Sequence, residues 1–170
     1  QSEWFRETLF VFTGDHGFGI PPLITEAGLL HQHVPLLFYG PDIFGDHHEV
    51  RHTVVSQLDI EPTILGLAGL NSTHQSFGRD IFLLPAGDPG HAYVKAAGSS
   101  VVGWIEGDEI AIGLPGKPVT LHKYDLSFPP SASENLAAAQ PEHLKQMEQH
   151  LRGFVVTALT TLQSHHCAPK

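Results

Sequence analysis

Two short apolar runs, residues 8–13 (Thr-Leu-Phe-Val-Phe-Thr) and 34–39 (Val-Pro-Leu-Leu-Phe-Tyr), dominate the first quarter of the chain. Neither alternates between apolar and polar positions, and each ends at a turn signal. That pattern predicts strands covered on both faces. Between them, residues 18–32 carry Gly19, Pro21, Pro22 and Gly28, a long connection of the kind that carries function beside a strand end. Residues 56–70 read as a crossover helix packed on the sheet. Asp59 is its expected N-cap, Pro62 falls in the first turn and Gly69 is its expected C-cap. Ile60, Ile64, Leu65, Leu67 and Ala68 give it a broad apolar face.

From His91 the pattern changes to antiparallel β. Residues 101–105 and 109–114 flank the short connection Glu106-Gly107-Asp108, and residues 119–126 supply a further strand broken at 129–133. Leu144, Met147, Leu151, Val155, Ala158 and Leu162 recur at helical spacing, so residues 142–162 read as an amphipathic helix with Glu148 and Arg152 paired at i,i+4. The expected class is α/β. Residues 1–90 form part of a mixed central sheet with flanking helices, and residues 91–170 form an antiparallel subdomain closed by the C-terminal helix.

Charge narrows the partners. A formal charge of −9, with nine Lys and Arg scattered along 170 residues, leaves no basic stripe to follow phosphates, which excludes nucleic acid. No apolar stretch is long enough to span a bilayer. The first residue is Gln1, so a processed product or a fragment of a longer parent is expected. Cys167 is the single cysteine, which rules out an intramolecular disulfide and a thiolate metal cluster.

The densest candidate chemistry is Asp15-His16-Gly17, at the carboxyl end of the first apolar run. In open α/β sheets ligands bind at that edge. A carboxylate and an imidazole are both common ligands for a catalytic divalent metal. Gly14 and Gly17 let the backbone turn sharply around the pair. Thr13 is a strand-end hydroxyl that satisfies backbone groups. Arg79 and Asp80 read as a local ion pair or cap.

The string Thr8-Leu-Phe-Val-Phe-Thr-Gly-Asp-His-Gly17 resembles the second metal-binding motif of the sulfatase-like branch of the alkaline-phosphatase superfamily. That branch includes arylsulfatases, lipoteichoic acid synthases and phosphoethanolamine or phosphoglycerol transferases. Four further segments resemble it in the same order: His33-Val-Pro-Leu-Leu-Phe-Tyr-Gly-Pro41, Val55-Ser-Gln-Leu-Asp-Ile-Glu-Pro-Thr-Ile-Leu65, Phe77-Gly-Arg-Asp-Ile-Phe82, and Tyr124-Asp-Leu126 with Glu134-Asn-Leu136.

The resemblance implies that Asp15 and His16 are metal ligands. It also implies that further ligands and the nucleophile (Thr, Ser or formylglycine) belong to an amino-terminal half with no counterpart here. No catalytic nucleophile is assigned within the chain, which is expected to be inactive alone. Residues 17–34 contain no Lys or Arg but do contain His31 and His33. Phosphoethanolamine transferases carry a phosphoryl-contacting His in this loop, and the resemblance implies His31 as the better positional match. His33, next to the strand, is the other candidate, with a buried structural role as its alternative. Both are candidate substrate-binding residues.

The leading expectation is a fragment of a transferase moving phosphoethanolamine or phosphoglycerol from phospholipid headgroups. The alternatives are a sulfatase or phosphodiesterase acting on small anionic esters, and a non-catalytic binding module. A His ligand favours Mn²⁺ or Zn²⁺ over Ca²⁺ or Mg²⁺. The parent is expected to be membrane-anchored, with this soluble portion periplasmic or extracellular. Without its missing half, the chain is expected to self-associate through exposed strand edges.

Overall fold

A computed structural model describes residues 2–17, 27, 29–70, 73–96, 98–124, 126 and 134–164. Gly19, Pro21, Pro22 and Gly28 of the long connection, Asp125, the break at 129–133 and the tail His165-His166-Cys167 lie outside the described residues.

The two apolar runs form strands β1 (Phe10–Thr13) and β2 (Leu36–Tyr39), paired antiparallel with Phe10 opposite Tyr39 and Phe12 opposite Leu37. Side chains alternate across a strand, so Phe10, Phe12, Leu37 and Tyr39 share one face. A short helix, α1 (Glu3–Arg6), covers one end of that face, with Phe5 ring contacts to Phe10 and Tyr39 at 5.4 and 6.1 Å. The other end is open, and Phe12 and Leu37 are 54% and 56% exposed. This corrects the expectation of strands covered on both faces. A run without alternation marks both faces as apolar, but among the described residues no third strand joins the pair and α1 is only one turn long.

Between the strands lies a one-turn helix, α2 (Leu29–Gln32), and after them another, α3 (Pro41–Phe44). The expected helix at 56–70 is shorter and begins differently. A 3-10 turn at Gln57–Asp59 leads into α4 (Ile60–Leu67), and Ser56 rather than Asp59 is the cap. The Ser56 hydroxyl accepts the Leu58 N–H (3.2 Å), while the Asp59 carboxylate accepts the Ser56 N–H (2.9 Å), a reciprocal capping box. At the far end Gly69 adopts φ +65°. Bonds from Gly69 N–H to Gly66 O and from Leu70 N–H to Leu65 O complete a Schellman motif, as the sequence predicts. Only Pro62 and Thr63 of α4 are buried, and Ile64 is exposed, so its apolar face is not the sheet-packing surface expected.

Strands β3 (His91–Lys95), β4 (Val102–Glu106), β5 (Glu109–Gly113) and β6 (Thr120–Lys123) form an antiparallel meander in sequence order. Gly107, at φ +60°, leads the two-residue loop between β4 and β5. One sheet face buries Val94, Ile105, Ile110 and Ile112 against Ala27 and Leu29. The other buries Trp104, Ala111 and Leu121 beneath Met147 and Leu151 of α5 (Pro141–Gln163). Glu109 anchors the start of α5, receiving Gln140 Nε2 at 3.0 Å and lying 2.9 Å from His143 Nε2. The Glu148–Arg152 pair forms as expected, at 2.7 Å. Leu162, at the end of the predicted apolar stripe, is exposed. Among the described residues no helix is long and apolar enough to cross a membrane.

Candidate metal centre

The ladder of β1 ends at Thr13, and the four residues that follow form a tight loop. Thr13 Oγ1 donates to Gly14 O at 3.2 Å, the backbone role expected of it. The Asp15 carboxylate accepts the His16 N–H at 2.8 Å through Oδ1. His16 Nδ1 lies 3.0 Å from Gly17 O. A carbonyl only accepts, so Nδ1 carries a proton, and in the neutral ring this places the lone pair on Nε2. Metal-binding imidazoles are commonly oriented by a hydrogen bond of this kind from the second nitrogen.

His16 Nε2 and Asp15 Oδ2 are 3.7 Å apart, and both side chains are exposed, 63% and 90%. Ligand distances near 2.0–2.2 Å allow two donors on one ion to be up to about 4 Å apart, so this pair fits a single divalent cation. Among the described residues no group of three His, Cys, Asp or Glu lies together in metal-binding geometry. Among the described residues, Asp15 and His16 are the donor pair at this loop.

The loop is fixed from both sides. On one side, Gln57 Nε2 donates to Gly14 O at 2.7 Å and to Asp15 O at 3.2 Å across more than forty residues of sequence. On the other, Gly17 N–H donates to His31 O at 2.8 Å. A Cβ on Gly17 would sit 2.1 Å from Leu30 O and 2.9 Å from His33 O, so α2 packs against bare backbone there. That is a closer constraint than the sharp turn inferred from sequence.

His31 and His33 separate. The His31 ring lies 5.0 Å from the His16 ring, tilted by 31°, and its buried Nδ1 has no hydrogen-bond partner among the described residues. His33 is exposed and lines a cavity of about 790 Å³ together with Thr13, Gln57 and Tyr124. The geometry sets Asp15 and His31 each beside His16 and leaves His33 on that cavity wall.

Arg79 does not pair with Asp80. It reaches the buried Asp59, with Nη2 at 3.1 Å from Oδ2 and the Arg79 N–H at 2.7 Å from Oδ1. Its guanidinium also donates to His91 O (2.9 Å) and His91 Nδ1 (3.0 Å). Asp80 instead accepts the Phe82 N–H at 2.9 Å. Adjacent residues in an extended segment point apart, whereas the capping carboxylate of Asp59 is an already buried anion in need of a cation. Burial, and then the neighbouring Arg79 charge, hold His91 below the ordinary histidine range.

Sequence reasoning missed Gln57. The signal was its place in the 55–65 segment that resembles the family, directly after the helix cap, where the residues read as helix-start geometry.

Comparison with known proteins adds an independent view. Residues 2–70, which include Asp15, His16, His31, His33 and Gln57, match the Sulfatase family model. The chain is 27% identical over 186 aligned residues to arylsulfatase K of Xenopus laevis, covering 87% of this chain and 31% of that protein. Two solved structures share the fold. One is an alkaline-phosphatase-superfamily protein from Vibrio parahaemolyticus, with TM-score 0.57, 22% identity, and coverage of 74% of this chain and 29% of that one. The other is Ps i-CgsB, with TM-score 0.63, 20% identity, and coverage of 88% and 37%. The chain thus spans about a third of the length of the relatives it matches.

Proposed function

Because this chain is a sulfatase-like member of the alkaline-phosphatase superfamily, we propose that Asp15 and His16 are two protein ligands of a divalent metal centre that cleaves sulfate esters. The superfamily acts on sulfate or phosphate esters and generally depends on a divalent metal ion. The observation that carries the reading is the placement of the pair. A carboxylate and an imidazole with its Nε2 lone pair free stand 3.7 Å apart at the end of β1, inside the matched segment.

The ion, when bound, polarises the ester and lowers the pKa of the attacking group. Asp15 supplies a charged oxygen donor, and His16 a neutral nitrogen donor whose tautomer Gly17 O holds. A nitrogen donor makes Mn²⁺ or Zn²⁺ the better match. His31, beside His16, faces the ester oxygens and offers them an N–H where charge accumulates. The remaining ligands and the nucleophile come from a further segment of the enzyme, which packs on the open face of β1 and β2. The working compartment is extracytoplasmic.

Mn²⁺ titration followed by NMR tests the ligand assignment. Paramagnetic broadening is expected first at the His16 ring and is expected to disappear in Asp15→Ala. Broadening centred elsewhere, or unchanged in Asp15→Ala, overturns it.

A second reading keeps the same ligands but moves a phosphoethanolamine or phosphoglycerol headgroup to an acceptor. One observation favours it: the side chain against His16 is a histidine, and residues 17–34 contain no Lys or Arg to neutralise a sulfate. Assay of the whole enzyme with aryl sulfate against phosphoglycerol esters separates the two.

A further inference from the structure

We propose that Gln57 is a positioning residue for the metal loop, holding the backbone of Gly14 and Asp15 so that the Asp15 carboxylate and the His16 imidazole face one point. The proposal rests on the assignment of Asp15 and His16 as ligands.

Gly14 O and Asp15 O lie just past the last ladder pair of β1, Thr13 with Leu36, where cross-strand partners run out. The loop is bounded by Gly14 and Gly17, which restrain its torsions less than residues with a side chain would. A backbone of that kind gives a donor pair no fixed separation. The Gln57 amide carries two N–H donors and spans the Gly14 and Asp15 carbonyls from a single nitrogen, at 2.7 and 3.2 Å.

The mounting of Gln57 is rigid. It is the first residue of the 3-10 turn, between Ser56 and Asp59 of the capping box. Asp59 is 2% exposed and receives the Arg79 backbone N–H and guanidinium together. Arg79 in turn ties the turn to β3 through His91 O. Hydrogen bonds from β3 through Arg79 to the capping box, the backbone of the turn, and the Gln57 amide together connect β3 to the carbonyl of the ligand Asp15. The tie from Gly17 N–H to His31 O closes the opposite end of the loop. Residues that orient metal ligands from outside the coordination sphere change affinity by about ten-fold or more when removed.

The chemistry at this position is specific to glutamine. Asparagine is one methylene too short for the observed reach. Glutamate presents oxygens to carbonyl oxygens and adds a charge beside the metal. Methionine matches the length and lacks the donor, which makes Gln57→Met the informative change.

The experiment compares the wild-type chain, Gln57→Met and Leu151→Ala by Mn²⁺-induced NMR broadening at the His16 ring, with urea unfolding of each. Leu151 is buried between α5 and the sheet face opposite α2, so Leu151→Ala lowers stability without touching Gln57, its capping box or the Gly14 and Asp15 carbonyls. The expected result is an apparent Mn²⁺ affinity lowered about ten-fold in Gln57→Met and unchanged in Leu151→Ala, although Leu151→Ala is the less stable of the two. In the metal-free chain, faster amide exchange at His16 and Gly17 is expected in Gln57→Met only. Equal affinity in wild type and Gln57→Met, or equal losses in both variants, overturns the positioning role while leaving the ligand assignment intact. Absence of His16 broadening in wild type removes the ligand assignment, and the positioning role with it.

Discussion

The carboxylate of Asp59 and the guanidinium of Arg79 meet at 3.1 Å, with Asp59 almost fully buried and Arg79 about one-fifth exposed. The two residues are twenty apart in sequence, and each has a second task. Asp59 closes the capping box before α4, and Arg79 reaches His91 on β3. The contact thus joins the start of α4, the segment after it and the antiparallel sheet.

Breaking such a pair costs more than its formation contributes, because the surviving charge stays buried. Arg79→Met is expected to lower unfolding stability by about 3 kcal/mol, the low end for a buried pair because Arg79 is partly solvated. Asp80→Asn, which keeps an acceptor for the Phe82 N–H, is expected to cost less than about 1 kcal/mol. Urea unfolding of the two variants checks the difference. Equal losses would restore the local Arg79–Asp80 pairing that the sequence suggests.

Gly17 carries a second prediction. The atoms nearest to an added Cβ are the carbonyl oxygens of Leu30 and His33, which move only if the backbone of α2 and its flank moves. At Gly14 the nearest atom is Val34 Cγ1 at 3.2 Å, the end of a side chain that can shift. Gly17→Ala is therefore expected to cost about 3 kcal/mol, at the upper end of overpacking penalties, and Gly14→Ala about 1 kcal/mol. Thermal unfolding followed by circular dichroism measures both. Because Gly17 N–H is bonded to His31 O, Gly17→Ala also separates the His16 and His31 rings, and their NMR signals are expected to shift together.

His91 makes stability depend on pH in a defined direction. Burial and the Arg79 charge lower its pKa beneath the reference 6.5, so the unfolded chain takes up a proton at higher pH than the folded one. Stability rises with pH wherever the unfolded state binds more protons. The His91 contribution is thus complete above about pH 6.5 and is lost as pH falls through the folded-state value. His91→Gln keeps an acceptor for Arg79 and removes the titration. Between about pH 5 and pH 7 its stability is expected to change less steeply than that of wild type. Parallel slopes would mean that His91 titrates alike in both states.

The elements that were legible in the sequence are those whose pattern is local. The period of Leu144, Met147 and Leu151 located α5, Gly69 marked the end of α4, and the Gly107 turn fixed the hairpin. What depended on distant partners was not legible. The partner of Arg79 was assigned to its neighbour Asp80, since nothing in a linear pattern points twenty residues back to a capping carboxylate. Gln57 lies within the 55–65 segment that resembles the family, but nothing in that pattern points more than forty residues back to Gly14 and Asp15, because its role is created by the approach of two loops in space. The apolarity of β1 and β2 was read correctly, but which face is covered is decided by the neighbouring elements, and α1 shields only the Phe10–Tyr39 end.

That open face sets the last expectation. Trp4, Phe12, Leu37 and Tyr39 are 62%, 54%, 56% and 45% exposed, and Phe12 and Leu37 face each other across the strand pair. Fully burying a large apolar side chain is worth about 1.5–3 kcal/mol, so covering four half-exposed ones contributes about 1 kcal/mol each. Two copies joined through this face gain about 8 kcal/mol from the patch, against a cost of association of about 4–15 kcal/mol. The balance predicts a weak dimer that forms and dissociates with concentration. Sedimentation velocity of the isolated chain is expected to show an average mass that rises on concentration. Leu37→Lys, which places a charge at the centre of the patch on an already exposed position, is expected to restore the monomer at every concentration with an unchanged circular dichroism spectrum. A wild-type chain that stays monomeric throughout, or a Leu37→Lys chain that still associates, would show that this face is not the contact.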